Sequence, residues 1–260
     1  MKGEDITIVS RRQVAERIHS KHSMIPAVAI GVAAAAGVGA AVYAAYRPES
    51  QIYGATVVAG SDPRQVALTY DDGPNPEVTP YLLEVLARHN VRATFFLVGH
   101  FVKAQPELAR QVAAAGHLIG NHTLTHPNLA ITSARETRRQ LAETNDLLEQ
   151  TLGQKVRFFR APFGARRPAT LRIARELGLH AVQWNVAAQD WNPATPAQLL
   201  ERMEQGIAKN QRKNRASNVL LHDGGHLGLG AKRMPTVDAT GLLLEKNIRN
   251  LTFVTPENWV

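Results

Sequence analysis

From Gln65 onward the chain alternates between short apolar runs rich in strand formers and longer stretches with helical periodicity, a rhythm that few architectures accept. Strand-like runs fall over residues 66–70, 93–98, 118–120, 156–159, 181–186, 219–221 and 251–254. Helical patterns lie between them, over residues 76–89, 106–115, 133–152, 168–177, 196–209 and 237–246. Pro106, Pro168 and Pro196 stand where a first helical turn tolerates proline, and Gly116 and Gly178 follow two of the helices, which matches helix start and stop chemistry. Seven strands alternating with six helices predict an α/β fold with a parallel sheet and right-handed crossovers, closed as a barrel or open and doubly wound. No glycine-rich phosphate loop follows the first strand, which argues against the nucleotide-binding version.

Polar residues gather where these runs end. Val66-Ala67-Leu68 leads into Thr69-Tyr70-Asp71-Asp72-Gly73-Pro74, so a buried strand delivers two adjacent carboxylates into a turn. Side chains alternate along a strand, so the pair is expected to face different partners, one a metal and the other a substrate or cation. A solvated Asp-Gly-Pro turn is the plainer alternative. After the third run, His122 and His126 are four residues apart, on one face if that turn is helical, a spacing that suits a shared divalent ion. Arg160 follows the fourth run, Asp190-Trp191 the fifth and His222-Asp223 the sixth. Each has a bland reading alone, but five polar stations at the ends of five strands describe one catalytic rim.

There are no cysteines, so any metal must be held by His, Asp, Glu or water. The net charge of +8 is spread along the chain, and its basic clusters lack interleaved aromatics. They read as solvated faces, and no nucleic-acid partner is expected. Residues 1–23 are polar and basic, and residues 24–46 are uncharged and rich in Ala, Gly and Val. A helix of that length spans about 34 Å against a hydrocarbon core of about 30 Å. The expected organisation is a cytoplasmic segment (1–23), one transmembrane helix (24–46), a stalk or first domain edge (47–63) and a globular domain (64–260) outside the cytoplasm. A cleaved secretion signal and a buried Ala-rich helix are the alternatives.

The motifs TYDDGP, HTLTHPNL, RAPFG, QDW and LLHDG, in this order and spacing, resemble the polysaccharide deacetylase family, also called carbohydrate esterase family 4 or the NodB homology domain. The resemblance covers roughly Gln65 to Val254. It implies a distorted (β/α) barrel of about seven parallel strands, an acetylated glycan substrate and one divalent metal ion, most often Zn2+, with Co2+ or Ni2+ as alternatives. It also implies Asp72, His122 and His126 as metal ligands, Asp71 as general base and Arg160 as its holder. His222 would be the general acid, oriented by Asp190, with the Phe163 backbone N–H at the oxyanion and Trp191 and Leu220 walling the acetyl pocket. The sequence departs from the family at Ala187, where a second aspartate is usual, and at Phe163, where tyrosine is common. Three other readings compete: a membrane-tethered carbohydrate-binding protein without turnover, an O-acetyl esterase on the same fold, and a non-haem iron oxygenase built on two histidines and a carboxylate.

Overall fold

The computed structural model describes residues 37–247 and 249–260. The basic segment 1–23 and residues 24–36 of the expected membrane helix lie outside the described residues. Residues 37–46 are helical (α1), and among the described residues no helix is long and apolar enough to cross a membrane. Ala44 to Val260 form one compact unit.

Within that unit the elements follow in order. They are β1 (Gln65–Gly73), α2 (Thr79–Arg88), β2 (Thr94–Leu97), α3 (Gly99–Ala104), α4 (Pro106–Ala114), β3 (Leu118–Asn121), α5 (Ala134–Leu152), β4 (Phe158–Phe159), α6 (Pro168–Glu176), β5 (His180–Ala181), β6 (Val186–Ala187), α7 (Pro196–Gln211), β7 (Ser217–His222), α8 (Met234–Asn247) and β8 (Thr252–Val254). All pairings are parallel, in the order β5-β4-β3-β2-β1-β7-β6, and β8 adds to the start of β1. Helices run from caps legible in the chain: Ser133 accepts from the Glu136 N–H at the head of α5, and Gly153, at φ 66°, ends it.

Strand periodicity sorts the side chains. Val66, Leu68 and Tyr70 of β1, Phe95 and Leu97 of β2, and Val219 and Leu221 of β7 pack with Leu82, Leu86, Met203 and Leu243 of the covering helices. Each such side chain, fully buried, stabilises the fold by about 1.5–3 kcal/mol. The alternate residues Thr69, Phe96, Asn218 and Leu220 form the other face, and there polar groups bond each other: Thr69 Oγ1 donates to the Val219 carbonyl over 2.7 Å.

The run expected as one strand over 181–186 is two. β5 pairs with β4 at one end of the sheet and β6 with β7 at the other, so residues 182–185 carry the chain from edge to edge. The five steps from Ala181 to Val186 reach at most about 18 Å, so the two edges approach and the sheet curls into an incomplete barrel. Residues 47–63 join the domain rather than standing off it. Val57 bridges Val182, and the buried Arg166 guanidinium donates to the carbonyls of Arg47 and Ser50 over 2.8 and 2.7 Å. The short helix α3 is absent from the sequence reading; at six residues it is too brief to show a period.

The end of β1 is locked by close approach. A Cβ at Gly224 would lie 2.0 Å from the Asp72 carbonyl oxygen, so only glycine fits between β7 and the Asp72 turn. Gly224→Ala is expected to lower stability by about 1–3 kcal/mol, the usual cost of overpacking. Urea unfolding checks it, and an unchanged midpoint would show that this contact is slack.

Candidate active site

Both aspartates of β1 enter one cleft of about 830 Å³, an outcome that regular strand alternation forbids. The pairing of β1 with β2 slips between Asp71 and Gly73, and Asp72 takes φ 71°. That irregularity turns Asp72 back to the side of Asp71. His122 Nε2 is 3.7 Å from Asp71 Oδ2 and 3.5 Å from Asp72 Oδ1, and His126 Nε2 is 3.2 Å from Asp72 Oδ1.

His122 ends the extended run of β3, but the turn carrying His126 is not helical. Thr123 and His126 have φ of 67° and 59°. Side chains hold this conformation: Asn121 accepts from the Thr123 N–H, Thr123 from the His126 N–H, and Gln140 from the N–H groups of both Leu124 and Thr125. Positive φ outside glycine is costly, and of the seven such residues described, Asp72, Thr123, His126, Phe163 and Gln189 lie in four of the five motifs.

Asp72, His122 and His126 offer one donor atom each within 4.8 Å of one another. Donors sharing a tetrahedral ion of zinc's size stand about 3.4 Å apart, close to the separations here. Asp72 Oδ1 is buried without a hydrogen-bond partner. Burial disfavours the Asp72 anion, while hydrogen bonds and positive charge from His122 and His126, when those rings are protonated, hold its carboxyl well below the usual range. His122 Nδ1 lies 2.9 Å from the Arg160 carbonyl, which takes its N–H and leaves Nε2 with the lone pair toward Asp72. An unsatisfied buried carboxylate oxygen beside correctly turned imidazoles fits a divalent cation.

Arg160 is fully buried at the end of β4. It donates to Asp71 Oδ1 and Thr69 Oγ1, each over 2.8 Å, and to the Gln183 carbonyl over 3.3 Å. Its guanidinium carbon sits 4.3 Å above the Phe96 ring. Asp71 is its one ion-pair partner among the described residues, and Nε is buried without a partner.

The second charged pair is Asp190 and His222. Asp190 Oδ1 is 2.8 Å from His222 Nδ1, and Oδ2 accepts from the His222 backbone N–H over 2.7 Å and the Thr236 hydroxyl over 2.9 Å. Burial favours a neutral imidazole, but the charge and hydrogen bond of Asp190, joined by Asp71 and Asp72, push His222 up to about 9. Trp191 is 46% exposed and stands edge to face with His222 at 5.5 Å, while Leu220 is buried in the cleft wall. Phe163, at φ 58° and half exposed, lies edge to face with His126 at 4.7 Å.

All ten residues singled out in the sequence thus surround or support one cleft. Sequence reasoning missed His226, whose ring stacks on His126 at 4.7 Å, and Arg233, which donates to the Asp190 carbonyl over 2.7 Å. A histidine inside the glycine-rich run that follows β7 was the available signal. Asp223, adjacent to His222, belongs to the scaffold. Its Oδ2 accepts from the Thr79 hydroxyl over 2.5 Å, and burial pushes its carboxyl up to about 7.

The family profile described as Polysaccharide deacetylase matches residues 59–182. A chitooligosaccharide deacetylase of Azorhizobium caulinodans is 41% identical over 160 residues, which is 61% of this chain and 73% of that protein. The chain belongs to the polysaccharide deacetylase family. Solved structures agree. A peptidoglycan N-acetylglucosamine deacetylase superposes with TM-score 0.67 at 33% identity, covering 77% of this chain and 89% of that one. A carbohydrate esterase family 4 pseudoenzyme from Bacillus anthracis superposes with TM-score 0.69 at 30% identity, covering 78% and 68%. In this polysaccharide deacetylase the position of the usual second aspartate is Ala187 on β6, paired with Leu220.

The His222 value can be checked directly. In metal-free protein its imidazole resonances should titrate near 9, and Asp190→Asn should bring the midpoint to or below the ordinary value of about 6.5. A midpoint that stays near 9 in the variant would show that Asp190 is not the cause.

Proposed function

We propose that this chain hydrolyses the N-acetyl groups of an N-acetylglucosamine-containing polysaccharide or oligosaccharide. The observation that carries the reading is the coexistence, in one cleft, of a carboxylate held by a buried arginine, an Asp-His-His donor set and a histidine poised to give up a proton. Peptidoglycan, chitin-type and exopolysaccharide substrates all present the same acetamide. Relatives described as chitooligosaccharide and peptidoglycan deacetylases support the first two.

Asp72, His122 and His126 would hold one divalent ion, with zinc the best match to two imidazoles and a carboxylate, and Co2+ or Ni2+ able to replace it. When bound, the ion polarises the acetyl carbonyl and makes a water more acidic. Asp71, fixed by Arg160, accepts the proton of the attacking water. The Phe163 N–H lies on the loop that faces the developing oxyanion. His222 holds its proton up to about 9 and delivers it to the departing amine, while Asp190 keeps the ring aimed and its Nδ1 occupied. Trp191 and Leu220 bound the space for the acetyl methyl group.

The likeness to a pseudoenzyme makes a non-catalytic reading concrete. Against it, Asp71, Asp72, His122, His126 and Arg160 are all present and joined by ion pairs, and Asp190 and His222 form a second pair beside them. The domain is proposed to act outside the cytoplasm, held to the membrane by residues 24–46, on the strength of the basic, then uncharged, N-terminal sequence.

Acetate release from defined acetylated glycans, with and without added zinc, tests the reaction. Asp71→Asn should abolish turnover with metal still bound, and His222→Ala should cost about 100-fold or more. On an activated acetyl ester, whose leaving group needs no proton, His222→Ala should be far less impaired. Equal impairment on both substrates would reduce His222 to a binding role. For location, the protein should stay in the membrane fraction through a high-salt wash, and a shortened soluble form in the medium or periplasm would favour a cleaved signal.

A further inference from the structure

Beyond the three expected ligands, one more imidazole faces the Asp-His-His set. His226 lies in Asp223-Gly224-Gly225-His226-Leu227-Gly228-Leu229-Gly230, the loop after β7. Its ring stacks on His126 with centroids 4.7 Å apart at 19°, meets Phe163 edge to face at 5.5 Å, and presents Nδ1 at 4.0 Å from Asp72 Oδ2. Among the described residues neither ring nitrogen makes a hydrogen bond. A side chain that merely filled the rim would have no reason to aim a nitrogen at the ligand carboxylate.

The loop is built to hold the base and free the tip. Gly224 abuts the Asp72 carbonyl, and Arg233 Nε donates to the Gly224 carbonyl over 2.9 Å, which ties the loop's start to the ligand turn. Beyond it Gly225 and Gly228 close a turn through a 3.1 Å backbone hydrogen bond, and Leu227 at the tip is 93% exposed. Donors on one tetrahedral ion of zinc's size stand about 3.4 Å apart, so from 4.0 Å off Asp72 Oδ2 the ring must move inward to join the three donors, and Gly225 before it and Gly228 beyond it leave the loop the freedom to do so.

We propose that His226 is a further protein ligand, binding through Nδ1 to the divalent ion held by Asp72, His122 and His126 and retaining it when no substrate is in the cleft. The proposal rests on the metal-site reading given above. As a fourth donor His226 competes with the substrate for an open position, so it trades metal retention against access.

The test is zinc affinity of the full-length protein, measured by competition with a chromogenic chelator. His226→Ala should weaken zinc about tenfold or more, on the scale at which outer partners of metal ligands act. His226→Gln, which keeps the volume but is a poor donor, should weaken it similarly, and His226→Cys should recover most of the loss. The visible spectrum of the cobalt-substituted protein should change with His226→Ala. Thermal unfolding of the metal-free variants should match the parent, since the ring is partly exposed. Affinity of His226→Ala and His226→Gln within twofold of the parent would overturn the proposal, as would an unchanged cobalt spectrum. His122→Ala separates the two layers of inference. If it loses zinc while His226→Ala does not, only the fourth-ligand proposal fails; if it too keeps full affinity, the metal site itself fails.

Discussion

Two buried carboxylates on consecutive residues, both turned into one cleft, are the constraint around which this structure is organised. Unit charges about 4 Å apart interact by about 4 kcal/mol at an effective dielectric of 20, so the pair needs cationic company. The fold divides the task. Asp71 is paired with Arg160, and Asp72 is left to two imidazoles with one oxygen that no protein group satisfies. A protein without a cation to bind would gain stability by replacing Asp72. Its retention beside a backbone at φ 71° is intelligible as preparation for an ion.

Arg160 shows how narrow the electrostatic balance is. Burial opposes its charge, and the one anion within reach is Asp71. Neutral acceptors take other donors of the guanidinium, the Thr69 hydroxyl, the Gln183 carbonyl and, at 3.5 Å, Asn218 Oδ1, while Nε has no partner among the described residues. With alanine at position 187, no second carboxylate shares the guanidinium among the described residues, so Asp71 alone carries the pairing. Arg160 also fixes the His122 tautomer through its carbonyl, so one residue orients both the base and a ligand.

Much of this was legible in the chain because it depends on local chemistry. The β1 run and its Asp71-Asp72 end, the proline starts of α4, α6 and α7, and the stops at Gly116 and Gly178 follow from rules of a few residues' range. The five stations were legible because parallel strands bring their ends to one rim. What escaped depended on distant parts of the chain. The split of the 181–186 run into β5 and β6 arises because those residues cross between sheet edges. The shared orientation of Asp71 and Asp72 needs the slipped register with β2, which no alternation rule supplies. His226 escaped because its meaning lies in the loop's path back over His126.

The chemistry and the selection of substrate are carried by different parts of the site. Asp71, Asp72, His122 and Arg160 are buried, cross-linked by ion pairs and seated at strand ends. Such groups cannot shift without exposing unpaired charge, so the reacting geometry is held by the barrel itself. Phe163, Trp191, Leu227 and Leu229 are exposed around the mouth, on loops. Side chains there can change without disturbing the charge network, because none of them takes part in it. His226 alone among the residues at the mouth brings an imidazole up to the buried Asp72 carboxylate, at 4.0 Å. Because His226 lines the same cleft as Asp71, Trp191 and His222, whatever occupies the cleft against it also alters the surroundings of Asp72.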